Sequence, residues 1–343
     1  MNRILVVRTS AIGDVVFASP ITAALRRSHP DAFIAWLVEP AMADLIIDDP
    51  CLDEVITWPK SEWKALWRDG RRWTLLRRVI EFRRRLRAFR FDTVLDLQGL
   101  FKSGLLAWMT GAPRRIGLDS REGSALFMSE VVERGGDAAR ISSEYLHLAR
   151  HLGLDCGDFL PRLSVTPPAA LAADRLMAEH RLRARSYAVC APFTTRPQKH
   201  WFEDAWQSLC RILVERGLTP VLLGGPADAE AAACIASADA RIVNLAGRTR
   251  LHEAAAVVRS AGLVVGVDTG LTHMGIAFDV PTVALFGSTC PYTITGRDNA
   301  RVIWLGMQCS PCRRNPTCGG AFTCLRDITP ARVMEEVDRV LAA

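Results

Sequence analysis

Short, largely apolar runs recur along this chain, with helical periodicity between them. Residues 4–7, 33–38, 54–57 and 93–97 read as strands, and 15–27 and 73–89 as helices. The alternation restarts after about residue 165. There the pattern predicts strands at 187–191, 220–223, 242–245, 263–267 and 282–286, and helices at 205–216, 228–236, 251–259 and 271–278. Strands without a polar face, alternating with helices, belong to parallel sheets covered on both sides. The expected fold class is therefore α/β, with two doubly wound parallel-sheet domains, 1–165 and 166–329. The prolines of Leu160-Pro-Arg-Leu-Ser-Val-Thr-Pro-Pro168 mark the join. The closing segment 330–343 carries a helix, with Thr329 as N-cap and Pro330 in its first turn, expected to pack back toward the N-terminal domain.

Two such domains facing each other would enclose a cleft, and open parallel sheets bind ligands beyond the carboxyl ends of their strands. Polar loops, four of them containing glycine, follow five of the expected strands. They are Arg8-Thr-Ser-Ala-Ile-Gly-Asp14, Asp96-Leu-Gln-Gly-Leu-Phe-Lys-Ser103, Phe193-Thr-Thr-Arg-Pro-Gln-Lys-His-Trp201, Gly224-Gly-Pro-Ala-Asp228 and Gly266-Val-Asp-Thr-Gly-Leu-Thr-His273. The last is the most informative. A buried strand feeds a tight turn and then a helix start, whose free N–H groups and dipole suit a phosphate or diphosphate. An ordinary helix capped by Asp268 or Thr269 would have the same composition. Five such loops at one edge favour a cleft enzyme over a structural module.

Composition is that of a globular protein with ample core, 49% hydrophobic and 23% charged. No apolar run approaches the roughly 18 residues of a membrane span. The first residues read as a strand, not a signal peptide, so a cytoplasmic protein with mostly free thiols is expected. The net charge of +6 hides an asymmetry: residues 60–90 hold 12 Lys or Arg and 3 Asp or Glu, with four tryptophans in or beside them. That mixture suits an anionic lipid surface, an acidic substrate, a nucleic acid, or simply a solvated helix whose arginines lie over its own core.

Four loops carry a family resemblance. Ser10-Ala-Ile-Gly-Asp14, Asp96-x-Gln-Gly-Leu-x-Lys-Ser103, Thr194-Thr-Arg-x-x-Lys-His-Trp201 and Asp268-Thr-Gly-Leu-Thr-His273 resemble, in order, those of the bacterial heptosyltransferases, glycosyltransferase family 9. The resemblance implies the GT-B architecture: two Rossmann-like domains facing a central cleft, acceptor on the N-terminal one and nucleotide sugar on the C-terminal one. It implies transfer of heptose from ADP-L-glycero-D-manno-heptose to the inner core of lipopolysaccharide, with inversion and no cofactor or metal in catalysis. The first-heptose type, with a Kdo-lipid A acceptor, is favoured; second-heptose and autotransporter-type enzymes are the alternatives. The expected location is the cytoplasmic face of the inner membrane, by peripheral contact, with no nucleic acid as partner.

Residue by residue, the resemblance implies Asp14 as the base that deprotonates the acceptor hydroxyl, its alternative role being a helix cap. Lys199 would neutralise the departing diphosphate as a point charge. Thr194, Thr195, Thr269, Gly270 and His273 would surround the phosphates, although His273 could equally be a core histidine. Asp268 would contact the sugar or order its turn, and Asp228 would lie near the ribose. Ser10, Gly13, Gln98 and Lys102 would face the acceptor. Cys309, Cys312, Cys318 and Cys324 put four thiols in 16 residues, a spacing open to structural Zn or Fe, free thiols or disulfides. Two other classes compete: a dehydrogenase, although no Gly-x-Gly-x-x-Gly follows the first strand, and a membrane-surface or nucleic-acid module built on 60–90.

Overall fold

The computed structural model describes residues 1–312 and 315–343. The chain divides into two compact units, Met1–Asp137 with Ser142–Ser164, and Ala138–Ile141 with Val165–Ala343. Each holds one parallel six-stranded sheet. The first comprises β1 (Arg3–Val7), β2 (Phe33–Val38), β3 (Glu54–Thr57), β4 (Thr93–Asp96), β5 (Arg114–Leu118) and β6 (Glu130–Val132). Its spatial order is β3-β2-β1-β4-β5-β6. The second comprises β7 (Tyr187–Ala191), β8 (Thr219–Leu222), β9 (Val243–Asn244), β10 (Leu263–Val267), β11 (Thr282–Phe286) and β12 (Ala300–Trp304). Its order is β12-β11-β10-β7-β8-β9. Counted within its own unit, each sheet runs 3-2-1-4-5-6, the doubly wound dinucleotide-fold order. This is the two-domain α/β fold of the GT-B type.

The central strands are apolar throughout because both of their faces are covered. β7, β10 and β11 are buried along their whole lengths. In the first unit Leu5, Val7, Ala35, Leu37 and Val94 pack under Phe82, Leu86 and Leu106 of the covering helices. In the second, Cys190, Leu222, Val265 and Leu285 pack under Trp206, Leu209, Leu213, Val333 and Val337.

Three expectations are corrected. The helix expected over 15–27 is two, Ile12–Ala18 and Pro20–Ser28, because Pro20 lacks the N–H that would continue the ladder and starts a new helix instead. The closing helix, Pro330–Ala342, packs within the second unit. Its apolar residues Val333, Met334, Val337 and Val340 complete the core of the second unit, and Trp201 Nε1 donates to the Ile328 carbonyl just before it (2.9 Å). Segment Ala138–Ile141 also belongs to that second unit, through a bridge from Arg140 to Ile294 and a bond from Ile141 N to the Ile294 carbonyl. Among the described residues no helix is long and apolar enough to cross a membrane.

Candidate functional site

Each sheet reverses its strand order between its first and fourth strands, and the loops leaving those two neighbours are brought side by side. In the first unit these are the loops after β1 and β4. Thr9 donates to Gln98 Oε1 through both its N–H (3.1 Å) and its hydroxyl (2.7 Å). Gln98 is thereby fixed by its oxygen, and its amide nitrogen makes no hydrogen bond among the described residues. Arg8 is buried, donates to the Leu97 carbonyl (2.9 Å) and reaches Asp14 Oδ2 (2.5 Å). Asp14 is the third residue of helix Ile12–Ala18, and the same oxygen accepts the Ala11 N–H (3.2 Å). Asp14 therefore does serve its helix start, but with one oxygen. Oδ1 makes no hydrogen bond among the described residues, and the side chain is partly exposed.

Asp96 underpins the second loop. Its carboxylate accepts from Gln98 N, Gly99 N and the Ser103 hydroxyl. Burial pushes its pKa up to about 6, with those three donors pulling the other way. Gly99 has φ +63°, and a Cβ there would lie 2.5 Å from the Leu118 carbonyl oxygen, so only glycine fits between Gln98 and β5. Lys102 is half-buried on helix Phe101–Met109, its pKa lowered by burial and by the positive charges of Lys60 and Lys64. Lys60 itself pairs with Glu39 (2.6 Å). Ser10 and Gly13 lie in the loop and first turn beside Asp14, both partly exposed.

In the second unit the adjacent loops follow β7 and β10, and Asp268 is where they meet. Its Oδ2 lies 2.5 Å from Lys199 Nζ and accepts the Thr289 hydroxyl; its Oδ1 lies 3.1 Å from His273 Nε2. Side-chain exposures of 12% for Asp268, 17% for Lys199 and 3% for His273 make this a largely dry cluster. Burial alone would raise the Asp268 pKa. The bond and charge of His273, with the Lys199 ion pair, outweigh it and hold the carboxyl well below the usual range. Asp268 thus orders its neighbourhood rather than capping the helix that follows. The residue before helix Gly270–Ala277 is Thr269, extended and without a side-chain cap bond. Gly266 lets this happen: a Cβ there would lie 2.2 Å from Thr272 Oγ1 and 2.8 Å from the Ala191 Cβ.

His273 does not offer an imidazole nitrogen to a phosphate. Nε2 serves Asp268, and Nδ1 lies 2.7 Å from the buried Tyr292 hydroxyl. Thr194 is held by His200, whose Nε2 lies 2.8 Å from the Thr194 carbonyl; Thr195 next to it is exposed. Asp228 closes its own turn, Oδ2 accepting the Gly225 N–H at 2.7 Å. Thr289 and Tyr292 carried no motif signal, and His200, though part of the Lys-His-Trp motif, was given no role by it. The first two enter only because β11 lies beside β10.

The cysteines behave differently. Cys309 is exposed, Cys312 and Cys318 partly so, and Cys324 buried. Among the described residues no group of three or more His, Cys, Asp or Glu side chains is placed to hold a metal ion.

The sequence matches the model of glycosyltransferase family 9 (heptosyltransferase) over residues 79–320. Lipopolysaccharide heptosyltransferase 1 of Pseudomonas aeruginosa is 31% identical, covering 99% of this chain and 98% of that protein. Lipopolysaccharide heptosyltransferase 2 of Salmonella typhimurium is 27% identical, covering 99% of each. Among solved structures, Escherichia coli heptosyltransferase WaaC with ADP-2-deoxy-2-fluoro heptose superposes with a TM-score of 0.74 at 26% identity, covering 98% of this chain and 99% of that one.

Proposed function

This chain belongs to glycosyltransferase family 9, and on that premise we propose that it moves heptose from ADP-L-glycero-D-manno-heptose to the first inner-core position of lipopolysaccharide, inverting the anomeric centre without a catalytic metal. The observation that carries the reading is the Asp268 cluster. It fixes one ammonium, Lys199, beside the free first-turn N–H groups of helix Gly270–Ala277. That pairing suits a diphosphate, and the relative solved with an ADP-sugar shares the fold. Thr194, Thr195, Thr269 and Gly270 supply hydroxyls and N–H groups around it. Asp228 orders the turn nearest the ribose, and His273 acts through Asp268.

Chemistry then follows from charge. The acceptor oxygen attacks the anomeric carbon, the bond from that carbon to the β-phosphate oxygen breaks, and ADP departs with the electron pair. Lys199 meets the charge that develops on the diphosphate. The acceptor proton passes to Asp14 Oδ1, while Arg8 and the Ala11 N–H hold Oδ2 and aim the carboxylate. Gln98, pinned by Thr9, and Lys102 receive the acidic acceptor, with Ser10 and Gly13 lining the approach. Catalysis takes place at the cytoplasmic face of the inner membrane. Cys309, Cys312, Cys318 and Cys324 are the candidate ligands of a structural Zn or Fe; about one equivalent by elemental analysis supports it and a trace amount ends it.

The test is incubation with ADP-heptose and either heptose-free Kdo-lipid A or an acceptor already bearing one heptose, read by mass spectrometry. Transfer to the first acceptor is expected; transfer to the second alone would make the chain a second-heptose enzyme. Asp14→Ala should abolish transfer while ADP affinity stays within about twofold. Loss of both together would make Asp14 structural.

A further inference from the structure

Helix Arg72–Ala88 is apolar on two sides, and the fold uses only one. Phe82 and Leu86 are buried in the first unit's core, with Val79 packed against it. On the opposite side Trp73 stands 85% exposed, and Leu76 and Ile80 are exposed beside it. Spacings of three and four residues put these three on one ridge. They share a shallow depression with Arg77, Glu81 and Arg84. Helical spacing places Arg87 on the same side, one turn past Arg84. The acid of this helix, Glu81, is neutralised by Arg77 (3.0 Å) and Arg78 (3.2 Å).

Neighbouring indoles extend the theme. Trp67, on helix Lys60–Arg68, is 65% exposed with the Arg72 guanidinium 5.4 Å from its ring. Trp108, also exposed, has the Arg83 guanidinium 5.1 Å from its ring. A tryptophan exposed to this degree, flanked by exposed Leu and Ile, marks an interaction surface. Its composition selects the partner. Indoles settle at the level of lipid headgroups, aliphatic side chains enter the acyl boundary, and arginines on flexible stems reach phosphates around them.

We propose that the outward ridge of this helix, Trp73, Leu76 and Ile80 with Arg77, Arg84 and Arg87 around them, docks the protein on an anionic bilayer. The inference deepens the reading that the acceptor is lipid-anchored. It requires neither donor nor acceptor to be tested, so its failure would leave that reading standing.

Purified full-length protein is sedimented with vesicles of phosphatidylcholine alone or with about a third phosphatidylglycerol. Binding is expected with the anionic vesicles and should fall as salt rises from about 0.1 to 0.5 M. The triple variant Trp73→Ala, Leu76→Ala, Ile80→Ala should lose at least tenfold in partitioning, and Arg77→Gln, Arg84→Gln, Arg87→Gln about a hundredfold. Because these side chains face solvent, the thermal midpoint should hold. In wild type, brominated acyl chains should quench indole emission, a readout that needs no variant. Several results would overturn the proposal: equal binding to both vesicle types, no quenching, or full binding by the triple variant. So would a concentration-dependent dimer abolished by the triple variant, which gives the ridge to a second copy, or equal affinity for a short oligonucleotide.

Discussion

Replacing Asp268 by asparagine keeps the side chain's size and removes the charge that Lys199, His273 and Thr289 share. Lys199, 17% exposed, would be left with an ammonium 2.5 Å from a neutral amide. Removing one partner of a buried ion pair costs about 3–5 kcal/mol, and the residual hydration of Lys199 argues for the lower end, about 3 kcal/mol. For a unit of this size each kcal/mol moves the midpoint by about 2–4 °C, so a drop of roughly 6–12 °C is expected. Differential scanning calorimetry at neutral pH and low salt measures it. The double variant Asp268→Asn, Lys199→Met should recover most of the loss, because no unpaired charge then remains. The sign with pH follows from linkage. The Asp268 carboxyl is held below its unfolded-state value, so its contribution is complete above about pH 4 and is lost as pH falls further. The wild type and Asp268→Asn curves should therefore converge in acid. A midpoint within about 1 °C of wild type at pH 7, with no recovery in the double variant, would refute the coupling.

Tyr292→Phe should cost about 1–3 kcal/mol in denaturant unfolding and shift the His273 ring nitrogens in NMR, since the hydroxyl beside Nδ1 is gone; unchanged ring-nitrogen shifts would remove Tyr292 from the Asp268 cluster. Asp96 has the opposite sign to Asp268. Its pKa is raised to about 6, so the first unit should lose stability as pH rises from about 4 to 6, by about 3 kcal/mol at most, and Asp96→Asn should flatten that slope in a pH series of unfolding curves. Gly99→Ala should lower stability by about 3 kcal/mol or more, through both its left-handed backbone and the Leu118 carbonyl; a fully stable variant would show that the loop can move aside.

Fully covered strands were the most legible part of the sequence. Residues 187–191, 263–267 and 282–286 were expected as strands and are strands, because a sheet buried on both faces writes an unbroken apolar run. β5 and β12 were overlooked for the same physical reason in reverse. β5 opens with Arg114 and Arg115, and β12 carries an exposed Arg301, so partial covering dilutes the signal. The loops at the switch points could be read, but not their partnerships. That Thr9 meets Gln98, or that Lys199 meets Asp268, depends on which strands are neighbours, and strand order lies outside any local motif. His273 shows the limit. Its place in the motif suggested a phosphate ligand, while packing beside Tyr292 turned both ring nitrogens inward.

A carboxylate housed against the lysine makes this cluster a self-neutralised salt. Orthophosphate, abundant in any cell, would have to displace that internal counter-ion in exchange for a single set of contacts. A nucleotide diphosphate brings a base and a ribose with it and can tip the exchange. If the proposed donor site holds, discrimination between the large anion and the small one would thus be set up before either arrives.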